Sequence, residues 1–238
     1  MNKRTTSNPG SRMRWKCGIA LILSSILLST AHAGVYSVDY TLNAAIPDGD
    51  LNGLQDTRTI SGLSGSITDV QVTLNISGGY NGDLYAYLVH SGGFAVLLNR
   101  TGKTSTDSFG YADAGFAVTL SSAASADIHS YGNLNPLFNG TGQLTGAWQP
   151  DGRALDPRSV QDADQRTATL SSFTGLDPNG AWTLFLSDMS YGDQSTVTGW
   201  GLEITAVPEP VTIALPIFGG LFALRQIVRR VRSRHRTG

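Results

Sequence analysis

Ile67-Thr68-Asp69-Val70-Gln71-Val72-Thr73-Leu74-Asn75-Ile76 decides the fold class. From Val70 onward apolar and polar residues alternate, so Val70, Val72, Leu74 and Ile76 share one face while Gln71, Thr73 and Asn75 share the other. A period of two is the signature of a strand with one face buried. The same alternation returns in Leu84, Ala86 and Leu88, and again in Trp182, Leu184 and Leu186. Short runs at Thr57 to Ser61, Ala95 to Asn99, Gly115 to Leu120, Thr167 to Ser171 and Thr198 to Thr205 add further strands, and Gly, Asn, Asp and Ser break the chain between them. Roughly eight strands with no long helical period predict an all-β, antiparallel, jelly-roll-like β-sandwich. Ser121 to Val160 is rich in Gly, Asn, Pro and Asp and reads as a long surface excursion, a place where binding residues concentrate.

The two ends read differently. Lys3, Arg4, Arg12, Arg14 and Lys16 precede an apolar run from Ile19 to Leu28, and Ala31-His32-Ala33 follows it. Basic, greasy, then small-x-small is the order of a secretory signal peptide, with cleavage expected after Ala33. An uncleaved anchor is the alternative, but the run is short against the roughly 20 residues of a spanning helix. The chain's one cysteine, Cys17, leaves with the signal, so the exported part has neither disulfide nor thiolate.

At the other end Val207-Pro208-Glu209-Pro210 leads into the apolar Val211 to Leu224, then Arg225, Arg229, Arg230, Arg232, Arg234 and Arg236. A single transmembrane helix over about 211–228 would be about 27 Å long, within reach of the ~30 Å hydrocarbon core if the bilayer thins modestly. The arginines then stay inside and the sandwich lies outside the cytoplasm, anchored in the inner membrane. A basic amphipathic helix on the membrane surface is the competing reading, but here apolar and basic blocks follow one another in sequence.

These three parts in this order resemble the PEP-CTERM sorting signal. The resemblance implies an exosortase-type processing enzyme, removal of the tail near Pro208-Glu209-Pro210, and delivery to the cell surface or extracellular matrix.

A second resemblance covers most of residues 44 to 205. Ile46-Pro47-Asp48, then Ile67 to Ser77 leading to Gly82-Asp83-Leu84, then Gly180 to Asp188 leading to Gly192-Asp193 and Gly199-Trp200, are similar to the P domain, or Homo B domain, that follows subtilisin-like proprotein convertase catalytic domains. It implies a jelly-roll sandwich that supports a protease domain and sometimes binds calcium beside it. Gln194-Ser195 stands where a glycine usually follows the Gly-Asp pair. The organisation expected is therefore a signal peptide over 1–33, a P-domain-like sandwich over 34–206 and a sorting tail over 207–238.

Charge narrows the partners. Residues 34–210 hold all 18 acidic side chains of the chain but six basic ones, a net of −12. A surface so anionic repels phosphate backbones, which excludes nucleic acid and favours cations or neutral polymers. His90 and His129 are the imidazoles of this region, no Ser sits in a Gly-x-Ser-x-Gly elbow, and both histidines read as ordinary surface residues, so catalysis is not expected. Hard cations want several oxygens. Asp48-Gly49-Asp50-Leu51-Asn52-Gly53 copies the first half of an EF-hand loop, but Thr59 stands where its bidentate Glu belongs. Asp83, Asp188 and Asp193 match acidic positions of the P-domain pattern, and with Asp48 and Asp50 they are the candidate calcium ligands. Turn chemistry explains the same residues equally well. Trp182 and Trp200 alternate with core residues and are expected inside, whereas Trp148 is either a ligand-stacking face or core. Two functions follow: a non-catalytic surface or matrix interaction protein, with an extracellular polysaccharide or a surface protein as its partner, or a calcium-dependent module binding a polysaccharide or a partner protease.

Overall fold

The computed structural model describes residues 32–208 and 218–229. Ala31, the expected signal helix and the tail residues 209–217 and 230–238 lie outside the described residues.

Among the described residues nine strands form two sheets, an all-β sandwich. They are β1 (Gly34–Ala45), β2 (Leu54–Ile60), β3 (Ser66–Gly78), β4 (Leu84–His90), β5 (Gly93–Asn99), β6 (Gly115–Ser121), β7 (Leu144–Trp148), β8 (Gly180–Asp188) and β9 (Ser195–Val207). One sheet has the order β1-β9-β3-β6-β7 and the other β2-β8-β4-β5. β3 sits in the middle of the larger sheet, and its apolar face meets apolar partners on β9: Val70 opposite Ile204, Val72 opposite Leu202, Leu74 opposite Trp200, Ile76 opposite Val197. All eight are at most 1 % exposed. A one-residue slip would turn this whole set to water, so the hydrophobic pattern fixes the register. Val72, Leu74, Ile76 and Leu202 pack with Leu84, Ala86, Leu88, Trp182, Leu184 and Leu186 of the other sheet in one core.

Three elements depart from the expected pattern. Thr167 to Ser171 is no strand: the chain passes into a 3₁₀ turn over Leu170–Phe173, which buries Leu170 and Phe173. β1 and β7 were not among the expected strands. β7 lies inside the long excursion and pairs in parallel with β6, Phe116 opposite Leu144 through Leu120 opposite Trp148. A parallel partner requires a crossover, and residues 122–143 supply it. Gly115 opens β6 at φ 97°, and a Cβ there would lie 2.2 Å from the Ile76 carbonyl oxygen, so only glycine fits.

Of the expected span over about 211–228, residues 218–228 are described; with Arg229 they are helical and exposed. Among the described residues no helix is long and apolar enough to cross a membrane.

Candidate functional site

Two polar clusters are built on this frame. The first is the acidic end of the sandwich. β4 and β8 pair so that Leu84 lies opposite Asp188, which sets Asp83, at the end of a short 3₁₀ turn, beside Asp188, at the end of β8. The β1–β2 and β8–β9 loops close over the same end, where both oxygens of Asp48 accept from the Gly192 N–H, at 2.9 and 3.0 Å. Arg100 reaches in from the end of β5, donating through Nη2 to Asp83 Oδ1 at 3.2 Å and through Nε to the Gly82 carbonyl.

This end is short of positive charge. Asp188 is fully buried; its Oδ1 accepts from the Ser190 N–H at 3.2 Å, and its Oδ2 has no partner. Burial is the main cause that pushes its pKa up to about 6, the Ser190 N–H opposes it, and the negative charges of Asp83 and Asp48 add to it. Asp83 is raised as well, mainly by burial, against the pull of Ser190 and Arg100. Asp193 stands in the β8–β9 turn at φ 55° and adds to the negative field on Asp83. Ser195 Oγ is a second buried oxygen without a partner.

Of the five aspartates picked out as candidate calcium ligands, Asp48, Asp83, Asp188 and Asp193 thus come to one end of the sandwich. Asp50 does not take part; its Oδ1 accepts from the Asn52 N–H and side-chain amide, both at 2.9 Å, which is turn chemistry. Among the described residues no three acidic, histidine or cysteine side chains stand close enough to hold a metal ion by themselves. A cation here would rely on Asp188 Oδ2, Asp83 and loop carbonyls together. The orphaned, fully buried Oδ2 is the observation that fits a hard cation.

The second cluster lies under the long excursion and was not foreseen. His129 is fully buried, with Nδ1 2.7 Å from Asp151 Oδ2 and Nε2 2.9 Å from the Lys103 carbonyl. Both partners accept, so the ring donates to both only as imidazolium. Burial works against that charge, but the hydrogen bond and charge of Asp151 outweigh it and hold the pKa above its ordinary value. Asp151, also fully buried, takes Arg153 Nη1 at 3.2 Å, and Arg153 Nη2 donates to Asp127 at 2.9 Å. Arg166 completes the cluster through the Asp151 and Pro150 carbonyls and Gln149 Oε1.

This corrects the expectation of surface histidines. His90 is 1 % exposed and stacks on Trp182 with centroids 3.9 Å apart, its ring nitrogens facing the Ala181 and Asp177 carbonyls. Trp148 is also inside at 7 % exposure, its Nε1 donating to the Thr145 carbonyl, which settles it as core rather than a stacking face. The sequence does carry a signal for the second cluster: three of the six basic residues of this region, Arg153, Arg158 and Arg166, fall within fourteen positions beside Asp151.

No family model and no curated protein matches the sequence. Among solved structures the chain is similar to the serine protease of Aeromonas sobria, with 14% identity and a TM-score of 0.42, over 74% of this chain and 28% of that one. The complex of the same protease with its chaperone gives 13% identity and a TM-score of 0.42, over 75% of this chain and 28% of that one. The chain therefore spans about 28% of the length of these proteins.

Proposed function

We propose that the chain is an exported, non-catalytic interaction protein of the cell surface or extracellular matrix: a P-domain-like jelly roll placed outside the cytoplasm by a signal peptide and a sorting tail. The observation that carries the non-catalytic part is the placement of His90 and His129. Both are sealed in the interior with their ring nitrogens turned to carbonyls or to Asp151, where neither can reach a substrate. General acid–base work needs a group within hydrogen-bond reach of the substrate.

The two ends support export. A positive n-region and Ala31-His32-Ala33 place cleavage before Gly34, and Val207-Pro208-Glu209-Pro210 followed by apolar and arginine blocks marks the tail that an exosortase-type enzyme would take. Until that step the arginines hold the tail in the inner membrane. The intact mass of the native protein, from washed membranes and from the extracellular fraction, tests this. A species starting at Gly34 and ending near Val207 to Pro210, recovered outside the cell, is expected. A protein retaining both Met1 and the arginine tail in the cytoplasm would sink the proposal.

A second reading, a hard cation at the acidic end, is favoured by the orphaned Asp188 Oδ2. Calcium bound there would neutralise the end, with Asp188 and Asp83 as its carboxylate donors. The pH dependence follows from Asp188. Its folded pKa of about 6 lies above the ordinary aspartate value of 3.8, so the stabilising protonated form is complete below about 3.8 and is lost as pH rises through about 6. Above that pH the bare carboxylate costs stability, and a cation offsets the cost. Calcium is therefore expected to raise Tm at neutral pH by several degrees, at about 2–4 °C per kcal/mol of binding linkage, and to have little effect below pH ~5. Asp188→Asn should raise the calcium-free Tm at neutral pH and abolish the response. Equal melting in calcium and in chelator at neutral pH would remove this reading.

A further inference from the structure

One cavity on the molecule is unlike its surroundings. It holds about 290 Å³, opens to solvent, and is lined by Ser122, Gln149, Pro150, Arg166, Thr169 and Ser171. Five of these six carry hydrogen-bonding side chains and none is acidic, in a region that holds 18 acidic residues against six basic ones.

The polar groups are fixed in advance. Arg166 donates through Nε to the Asp151 carbonyl at 2.9 Å, through Nη1 to Gln149 Oε1 at 2.6 Å and through Nη2 to the Pro150 carbonyl at 2.6 Å. A guanidinium has five N–H groups, so two remain. Gln149 is tied down in turn by its Nε2, which donates to the Ala124 carbonyl at 2.7 Å. The hydroxyls of Thr169 and Ser171 stand 2.7 Å apart and can pass a hydrogen bond either way. Donors held in one orientation before the ligand arrives lose little entropy on binding.

Charge selects the class of ligand. Asp127 stands 3.8 Å from Arg166 but already pairs with Arg153 at 2.9 Å, so locally His129, Arg153 and Arg166 face two carboxylates, Asp127 and Asp151, and it is the net −12 of the exported region that repels anions at long range. What the cavity offers is directed donors and hydroxyls, set in a surface that as a whole repels anions. Adjacent hydroxyls that both accept and donate suit that set, and the volume lies near the lower limit of ligand pockets, ~300 Å³, room for a small unit rather than a long chain.

We propose that this cavity is a binding site for a neutral saccharide unit, with a vicinal diol set against Arg166 and the Thr169–Ser171 hydroxyl pair. The proposal rests on the interaction-protein reading and gives it a site and a ligand class. It assigns a use to the excursion: the buried His129–Asp151–Arg153–Asp127 cluster fixes the backbone carbonyls that hold Arg166.

The test is backbone amide NMR of the full-length protein in detergent, titrated with maltotriose, cellotriose and mannotriose, and with trigalacturonate as the anionic comparison. Saturable shifts confined to Ser122, Gln149, Arg166, Thr169 and Ser171, given by at least one neutral trisaccharide and weaker with trigalacturonate, are expected. Ser171→Trp, which fills the mouth from an exposed position, should abolish them with Tm unchanged. Arg166→Lys keeps the charge but not the fork and should weaken binding about tenfold. No shift with any neutral sugar, tighter binding of trigalacturonate, or shifts that survive Ser171→Trp would overturn the site. Sugar shifts elsewhere on the sandwich would overturn it too, while leaving the interaction-protein reading standing.

Discussion

Asp151→Ala is expected to cost about 3–5 kcal/mol, the range for removing one partner of a buried ion pair, and to lower Tm by roughly 10 °C. The carboxylate is fully buried between two cations, His129 at 2.7 Å and Arg153 at 3.2 Å, and it also accepts from the Asn99 N–H at 3.2 Å. Removing it leaves His129 without a counter-charge and Arg153 with Asp127 alone, at 2.9 Å, in a low-dielectric interior. The loss should be local before it is global. Asp151 N–H donates to the Leu97 carbonyl and Gly152 N–H to the Val96 carbonyl, so this stretch rides along the edge of β5. Amide exchange at Asp151, Gly152 and Ala168 should accelerate more than at the centre of β3. The pH dependence gives an independent check. Asp151 holds the His129 pKa above 6.5, so its contribution is complete below that pH and is lost as pH rises through the folded value. The gap between wild type and variant should therefore narrow in alkali. A cost below about 1 kcal/mol would mean that water already reaches these charges.

How this cluster escaped sequence reading is a matter of period and distance. Strands announce themselves through alternation, and β3, β4, β8 and β9 fall within a few residues of where Val70 to Ile76, Leu84 to Leu88, Trp182 to Leu186 and Thr198 to Thr205 place them. β1 carries the same signal in Tyr36, Val38, Tyr40 and Leu42, half-buried against the core at a sheet edge, and could have been read. β7 could not: Leu144-Thr145-Gly146-Ala147-Trp148 has a glycine in the middle and only its two ends buried. Its strand state comes from β6, a partner more than twenty residues back. The ion cluster is similar. His129 meets Asp151 across 22 positions, and the buried contact with Lys103 crosses 26. No local pattern encodes such a meeting; only the unusual density of arginines near Asp151 hinted at it. The acidic end was more legible, because Asp83 and Asp188 end adjacent strands whose registers follow from their apolar faces. Arg100, which answers Asp83, gave no signal in the sequence.

Trp200→Ala should cost a similar amount, about 3–5 kcal/mol, the range for truncating a buried tryptophan. A tryptophan can serve as a sugar-stacking face or as a core side chain, and the two roles predict different variants. The ring is 1 % exposed, lies opposite Leu74 of β3 and meets Tyr40 of β1 with centroids 5.1 Å apart. Its Nε1 donates at 2.7 Å to Asp56 Oδ2 of β2, in the other sheet, so the side chain bridges the two layers. Asp56 also takes Arg58 Nε at 2.8 Å, and the Arg58 guanidinium lies 5.0 Å above the Tyr40 ring. Trp200→Phe separates the two contributions. It keeps most of the apolar contact and loses the donor, while Asp56 keeps Arg58, so the cost should fall to about 1–2 kcal/mol. If Trp200 is core, both variants lose stability in that order and neither alters saccharide shifts at Ser122 and Ser171 while the protein stays folded. Had the ring been a stacking platform, Trp200→Phe would leave Tm nearly untouched and weaken sugar binding. Urea denaturation read beside the NMR titration therefore decides between them, and the bridge to Asp56 makes the loss of stability the expected result.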